Sequence, residues 1–477
     1  MRRDHDMKQG FQLLIAAVLG CAFVVRPVWL TAVPLGADGY YYALQARSLI
    51  DLDEPRYRGR SDLFPRLQAM IGKRSGDVVV AEKILTTGLV FVLIISLACV
   101  VTFTTQRQWA ALAVIAYVAV CPGLSYFVVE FRSNLLGLAA LAVAAGLHTW
   151  PRGTRCRRIA TTGLACVAAV VAAVAHKESA ALALCYSMWC LVAAYCLRFS
   201  DAPYPVLLRA APFAVCLIGA LCWSAIEVAG LARTEGHLFG FHQTTVVGGA
   251  ILLITASALT LLQRDRAEPR TVLLRSNATA LATFACLASA PFLVFSSIHI
   301  GDKIDGVLDR VVLSIVVIAV PLASTLAIRG LPATILHPRS ELTERSRQIL
   351  QYAPAIVALI GMLVVATQIP GPRSLSLSRI YERMLPAGLV FVPHGLQDAV
   401  VSAPHGMEFA LTYLYGIRAQ STPNDVGAQP WWYLPATDRT RFAVLTCSGD
   451  HAVDIGAGVL VDAVALRTVV SGALSDC

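Results

Sequence analysis

The sequence predicts an all-α protein that crosses a membrane about 11 times and ends in a small α/β domain. Three observations predict it. Of the 477 residues, 57% are hydrophobic and only 14% are charged, against about 25% charged in an ordinary soluble domain. The apolar residues are gathered into runs of about 20, the length that spans a bilayer. Beyond residue 368 these runs give way to short β-like stretches punctuated by Gly and Pro. This composition excludes a soluble enzyme, a disordered chain and a fibrous repeat. The net charge of +9, from 39 Lys+Arg against 30 Asp+Glu, reads as cytoplasmic Arg that sets topology, not as a nucleic-acid footprint.

The apolar runs lie at 11–33, 84–104, 109–128, 133–150, 159–175, 180–197, 210–231, 245–262, 277–298, 309–328 and 351–368. The first follows Arg2, Arg3 and Lys8 and has no clean small-residue cleavage site after it, so it reads as an uncleaved helix. Arg clusters recur at alternate connections. They comprise Arg152, Arg155, Arg157 and Arg158, then Arg198 and Arg209, then Arg264, Arg266, Arg270 and Arg275, then Arg329, Arg339, Arg345 and Arg347. With this span count all of them share one side, and the positive-inside rule makes that side cytoplasmic. The reading is therefore a multi-pass protein of the inner (plasma) membrane, with its N-terminus inside and the tail outside.

Two regions organise the chain: a membrane domain over 1–368, with a long first outer loop at 34–83, and an extracytoplasmic domain over 369–477. Pro370, Pro372 and a Ser-rich stretch form the linker, and β-like runs follow at Gly388–Val392, Ala399–Ala403 and Arg441–Thr446. Most of the 13 cysteines sit in apolar runs, as Cys99, Cys166, Cys185 and Cys216 do, and no C-x-x-C pair occurs. They read as small hydrophobes, not as zinc ligands. Cys447 and Cys477 would lie in an oxidising compartment, where a disulfide can form. Trp431-Trp432-Tyr433 reads as a platform for a sugar face, as domain core or as a membrane-surface anchor.

The outer connections carry the chemistry. Residues 36–50 place Asp38 just after the first span, ahead of Tyr40, Tyr41 and Tyr42 and an amphipathic stretch over Tyr40–Ile50. Asp38 reads equally as the N-cap of that helix and as a carboxylate that takes a proton from an acceptor hydroxyl or amine. Glu130 and Arg132 lie in the second outer connection, where a snorkelling interfacial pair is the plain alternative. His176, Lys177 and Glu178 crowd one tight turn. Such groups at a membrane face are costly unless solvated or used, and Lys177 and His176 suit a phosphate. Arg310 opens the tenth span, where its guanidinium can meet a phosphate. Asp302 and Asp305 are spaced for a divalent cation, but loop acids ordinarily meet water, and no metal or other cofactor is called for.

An acid just after span one, followed by Tyr-rich sequence and an Ala-Arg-Ser-Leu helix, resembles the integral-membrane glycosyltransferases of the GT-C superfamily. The protein O-mannosyltransferases and the aminoarabinose lipid A transferase are the nearest in style. The resemblance implies 11–13 spans, a catalytic acid in a long first outer loop and an outer C-terminal domain. It also implies a sugar donor carried on polyprenyl phosphate. The family places a second acid directly after the first, where this sequence has Gly39, and a Lys-Pro later in the loop, where it has Phe64-Pro65-Arg66. Arg132 matches the family's second-loop arginine. Asn134 stands where an acid is usual, which leaves Glu130 as the second carboxylate.

The resulting expectation is a glycosyltransferase that moves a sugar from a polyprenyl-phosphate carrier to a lipid, glycan or protein acceptor on the outer face. Asp38 and Glu130 are its catalytic acids, and Tyr41, Arg132, His176, Lys177 and Arg310 bind substrate. Its partners are the carrier, membrane lipid and the acceptor, with no nucleic acid. Two other classes stand beside it. A flippase for a lipid-linked glycan would carry charge in mid-span, but Arg26 and Glu227 both lie near span ends. A non-catalytic assembly protein is the other, kept open by Gly39 and Asn134.

Overall fold

The computed structural model describes residues 2–56, 63–105, 108–150, 155–176, 178–184, 310, 313–314, 317–318, 400–403, 407–420, 431–435, 444–445, 452–454, 458–462 and 465. The chain divides into two compact units. Met1–Val25, Thr86–Val128 and Arg132–Gly371 make the first, and Arg26–Leu85, Val129–Phe131 and Pro372–Cys477 make the second. The expected spans at 210–231, 245–262, 277–298 and 351–368, and most of those at 180–197 and 309–328, lie outside the described residues.

Helices make up most of the described residues of the first unit. α1 (Arg2–Leu30) and α4 (Val78–Thr105) contribute part of their length to each unit. Their stretches Gly10–Leu30 and Val78–Phe103 are long and apolar enough to cross a membrane. Within the first unit α1 meets α4 through the Cys21 thiol, which donates to the Thr87 carbonyl at 3.5 Å. α1 also comes close to α5 (Gln108–Val120) at Gly20, where a Cβ would stand 3.2 Å from Ile115 Cγ2. The run expected as a single span at 109–128 is broken. α5 stops at Val120, α6 (Pro122–Val129) follows, and the pair is bent by 55°. Pro122 supplies the cause, since proline suits the first position of a new helix and cannot continue the old one.

α7 (Arg132–Thr149) and α8 (Arg155–Ala175) pack against each other along small residues, among them Ala142, Ala144, Ala169, Ala172 and Ala173, all buried. Small side chains let helix backbones approach closely where lipid leaves no hydrophobic drive between helices. A further close approach of α7 lies at Gly137. A Cβ there would fall well inside contact with the Ser179 side chain, in the helical segment 178–184.

In the second unit, the stretch read as amphipathic from Tyr40 is the helix α2 (Gly36–Asp51). It packs on α3 (Leu63–Ser75) and on α9 (Met407–Tyr415). Consecutive helical residues point about 100° apart, so the three tyrosines address different neighbours. Tyr40 meets Tyr413 with ring centroids 5.6 Å apart, Tyr41 meets Phe409 at 5.4 Å, and Tyr42 meets Phe64 at 5.0 Å. Arg47, two turns on, lies over the Tyr413 ring at 4.4 Å. Burial raises the Tyr413 phenol, and the Arg47 charge opposes that shift. The buried Gln68 of α3 donates to the Val78 carbonyl at 2.9 Å and to Glu82 Oε2 at 3.5 Å. Asp77 Oδ1 accepts the Val79 N–H at 2.7 Å and so caps α4. Lys83 donates to the Thr31 carbonyl at 2.6 Å, just past the end of α1, where the helix dipole favours a cation.

The tail contributes a five-stranded sheet in the order β2-β1-β3-β5-β4. Its strands are β1 (Val400–Ser402), β2 (Arg418–Gln420), β3 (Trp431–Pro435), β4 (Ala452–Asp454) and β5 (Gly458–Asp462). β1 runs parallel to both β2 and β3, and β5 runs antiparallel to β3 and β4. α9 connects β1 to its parallel neighbour β2, as a crossover requires. Trp431-Trp432-Tyr433 is strand, and Trp432 packs on Val444, Ala452, Val459 and Val461. Of the three readings of that run, core therefore holds for Trp432. Burial pushes the Tyr433 hydroxyl up to about 12. The strand expected at Ala399–Ala403 corresponds to β1, whereas in Arg441–Thr446 residues 444 and 445 are helical. A short apolar run does not by itself distinguish a buried strand from a buried helix turn. Gly388–Val392, Cys447 and Cys477 lie outside the described residues.

Gly137 and Gly163 make a matched pair of tests for the first unit, because among the described residues nothing lies within 4 Å of a Cβ at Gly163. Gly137→Ala should destabilise the protein in detergent by about 1–3 kcal/mol through overpacking. Gly163→Ala should leave stability unchanged or raise it by up to about 1 kcal/mol through helix propensity. Thermal unfolding of the two variants checks this, and equal effects would contradict the packing described.

Candidate functional site

The start of α2 is built around a glycine. Gly36 has φ +71°, a left-handed conformation that side chains disfavour. A Cβ at this position would lie 2.5 Å from Glu130 Oε2 and 2.6 Å from the Val129 carbonyl oxygen. The absent side chain thus admits the Glu130 carboxylate against the first residue of the helix. The capping residue, Leu35, offers no side-chain hydrogen bond. A carboxylate near these opening N–H groups is favoured by their exposed dipoles. Asp38 is not the N-cap: it lies within the first turn of α2, three residues past Leu35. Tyr41 is buried one turn above Gly36 and accepts a hydrogen bond from Gln45 Nε2 at 3.1 Å.

The first unit holds a second set of ionisable residues. Arg132, the opening residue of α7, is wholly buried, as are Ser133 and Asn134 behind it. Glu178, 1% exposed, pairs with His176 Nδ1 and lies 3.5 Å from Arg310 Nη1. The Ser179 hydroxyl donates to the His176 carbonyl at 2.9 Å, closing the turn that presents the pair. Gly137 lets α7 approach Ser179, the neighbour of Glu178. Arg132 stands five residues before Gly137 on the same helix. Glu178 is thus shared by His176 and Arg310, and an ionised group out of water is costly without partners. The arrangement suits an anion carrying several acceptor oxygens, which arginine binds with its fork of donors.

The sequence-predicted residues fall into these two groups. The second unit holds Asp38, Tyr41 and Glu130, and the first holds Arg132, His176 and Arg310. Lys177, Asp302 and Asp305 lie outside the described residues. Glu178, read from the sequence only as one charge of a crowded turn, emerges as the shared partner of His176 and Arg310. Its signal was the burial implied by the flanking apolar runs. Asn134 was marked in the sequence only as standing where an acid is usual, and its burial was not legible there.

No protein-family model and no curated protein matches the chain. Among solved structures, ArnT from Cupriavidus metallidurans in the apo state matches 96% of this chain and 98% of its own, at 14% identity and a TM-score of 0.45. ArnT from the same organism bound to undecaprenyl phosphate matches 94% of this chain and 97% of its own, at 13% identity and a TM-score of 0.50. The second likeness is one of fold, shared over nearly the whole of both chains.

The Gly36 geometry predicts a coupling. Gly36→Ala should destabilise by about 1–3 kcal/mol, the usual range for a strained backbone site. Part of that loss should return in the double variant Gly36→Ala/Glu130→Ala, because the carboxylate no longer occupies the Cβ position. A double-mutant cycle read by thermal unfolding should give a coupling of about 0.5–3 kcal/mol. Strictly additive effects would show that the two residues do not meet.

Proposed function

We propose that this chain is a membrane glycosyltransferase of the GT-C type, which takes a sugar from a polyprenyl-phosphate carrier and gives it to an acceptor on the outer face of the inner membrane. The observation that carries the reading is the set of basic side chains that the first unit holds at low exposure, wholly buried Arg132 together with His176 and Arg310 beside the buried Glu178. Basic side chains among apolar helices suit an anion, and a lipid phosphate is an anion that a membrane supplies. The fold shared with a structure bound to undecaprenyl phosphate supports the same assignment. The proposed architecture is the 11-span domain over 1–368 with an extracytoplasmic domain over 369–477.

The chemistry is a displacement at the anomeric carbon of the sugar. Asp38 accepts the proton of the acceptor hydroxyl or amine, and the acceptor atom bonds to the anomeric carbon. The bond from that carbon to the phosphate oxygen breaks, and the oxygen leaves with the electron pair. The carrier phosphate passes from a singly charged diester to a monoester that gains a further charge. Arg132, His176, Lys177 and Arg310 hold that phosphate. Their attraction grows as the charge develops, so they stabilise the transition state more than the ground state. Glu130 holds the start of the helix that bears Asp38. Tyr41 contacts substrate.

Asp38→Asn separates catalysis from structure. The amide is nearly isosteric, and Leu35, not Asp38, occupies the N-cap, so folding and carrier binding should be retained. An amide cannot accept the proton, so transfer should fall by about 10²–10⁴-fold, the usual contribution of a general base. Transfer of radiolabelled sugar in membranes measures it. Near-normal transfer by Asp38→Asn would remove Asp38 from the mechanism.

A further inference from the structure

Asn134 occupies the third position of α7 and is 1% exposed. Among the described residues, neither its Nδ2 nor its Oδ1 has a hydrogen-bond partner. Buried amides are almost always satisfied, and leaving one unmade is costly. An Asn in a first helical turn commonly bonds a nearby backbone group, and this one does not. Gly137 lies three residues further on, and residues so spaced share one side of a helix. That side is the one on which α7 approaches Ser179, next to Glu178 with its partners His176 and Arg310. An unmet donor and an unmet acceptor are therefore buried on the side of α7 turned toward the buried charges.

The chemistry of the two unmet atoms defines what fits them. An ionised phosphate oxygen only accepts, so it would satisfy Nδ2 and leave Oδ1 unmet. A hydroxyl both donates and accepts, and a pair of adjacent hydroxyls satisfies both atoms of one amide. We propose that Asn134 reads the sugar of the donor, its amide donating to one hydroxyl and accepting from another while the neighbouring cations hold the phosphate. This rests on the glycosyltransferase reading and adds to it a specificity-determining residue. The class of donor follows: a sugar with free hydroxyls on the face turned to α7.

The test compares two kinds of lipid on purified protein in detergent. One is undecaprenyl phosphate without sugar, and the other is a panel of undecaprenyl-phosphoryl hexoses and pentoses. Wild type should bind one or more of the panel more tightly than the bare carrier. Asn134→Leu, close in volume and without polar atoms, should erase that preference, weakening the sugar-loaded lipid by about 5- to 100-fold. Binding of the bare carrier should stay within about twofold, and the melting temperature should hold or rise because an unmet amide is removed. Should the leucine variant not fold, Asn134→Ser, with a shorter polar arm, carries the same comparison. Equal weakening of both lipids would make Asn134 a phosphate contact. No preference in wild type, or a preference kept by the variant, would likewise overturn the proposal. Failure of wild type to bind the bare carrier would instead count against the function on which it rests.

Discussion

A guanidinium buried among apolar helices is the constraint on which the first unit depends. Arg132 is wholly enclosed at the head of a helix that continues as Leu, Gly and Ala. An uncompensated charge in such a place would outweigh much of the packing around it, since removing one partner of a buried pair costs about 3–5 kcal/mol. The same unit also buries a carboxylate, with its partners beside it. Glu178 is held in a tight turn where it faces His176 and Arg310. Gly137 has no side chain, so the segment carrying Glu178 can approach α7. A stable protein has no need of this arrangement for its own sake, because apolar residues of like volume would pack as well or better. Its retention makes sense if the charges serve a ligand.

The second unit solves a different problem, which is to hold one helical turn in a fixed place. α2 is anchored on several sides by Tyr40, Tyr41 and Tyr42 against α9 and α3. Its first residue is pinned by a left-handed glycine backed by Glu130. Asp38 is thereby carried in the first turn of an anchored helix, not on a loop, which suits the base role proposed for it. Glu130 has a structural part in this. The carboxylate expected to act on substrate stands against Gly36, so its first effect is on the placement of α2.

The sequence made the long apolar helices legible because bilayer thickness sets their length, and α1 and α4 follow it. It also showed a helix over Tyr40–Ile50, whose apolar side repeats with helical period, although the helix begins earlier, at Gly36. The break at Pro122 was legible in principle, but the apolar run continues through it and hydropathy alone does not register a bend. Gly36 was not legible, because the sign of φ depends on what the chain meets next, and Glu130 is nearly a hundred residues away in sequence. Trp432 could not be placed either, since a sugar platform and a core strand use the same residue types. Asn134 illustrates the same limit: its identity is plain in the sequence, while its burial without partners among the described residues belongs to the packing of α7.

The central claim is that the buried cations hold a lipid phosphate, and a direct binding measurement tests it. Undecaprenyl phosphate would be titrated onto the purified protein and onto its Arg132→Gln and Arg310→Gln variants, each first shown to be folded by its melting curve. A hydrogen bond to a charged group contributes about 1.5–3 kcal/mol. Each folded variant should therefore bind the lipid about 10- to 100-fold more weakly, and binding to the wild-type protein should be opposed by inorganic phosphate. Undiminished affinity in both folded variants would contradict the account, because the charges would then be structural and the phosphate would have to be held elsewhere.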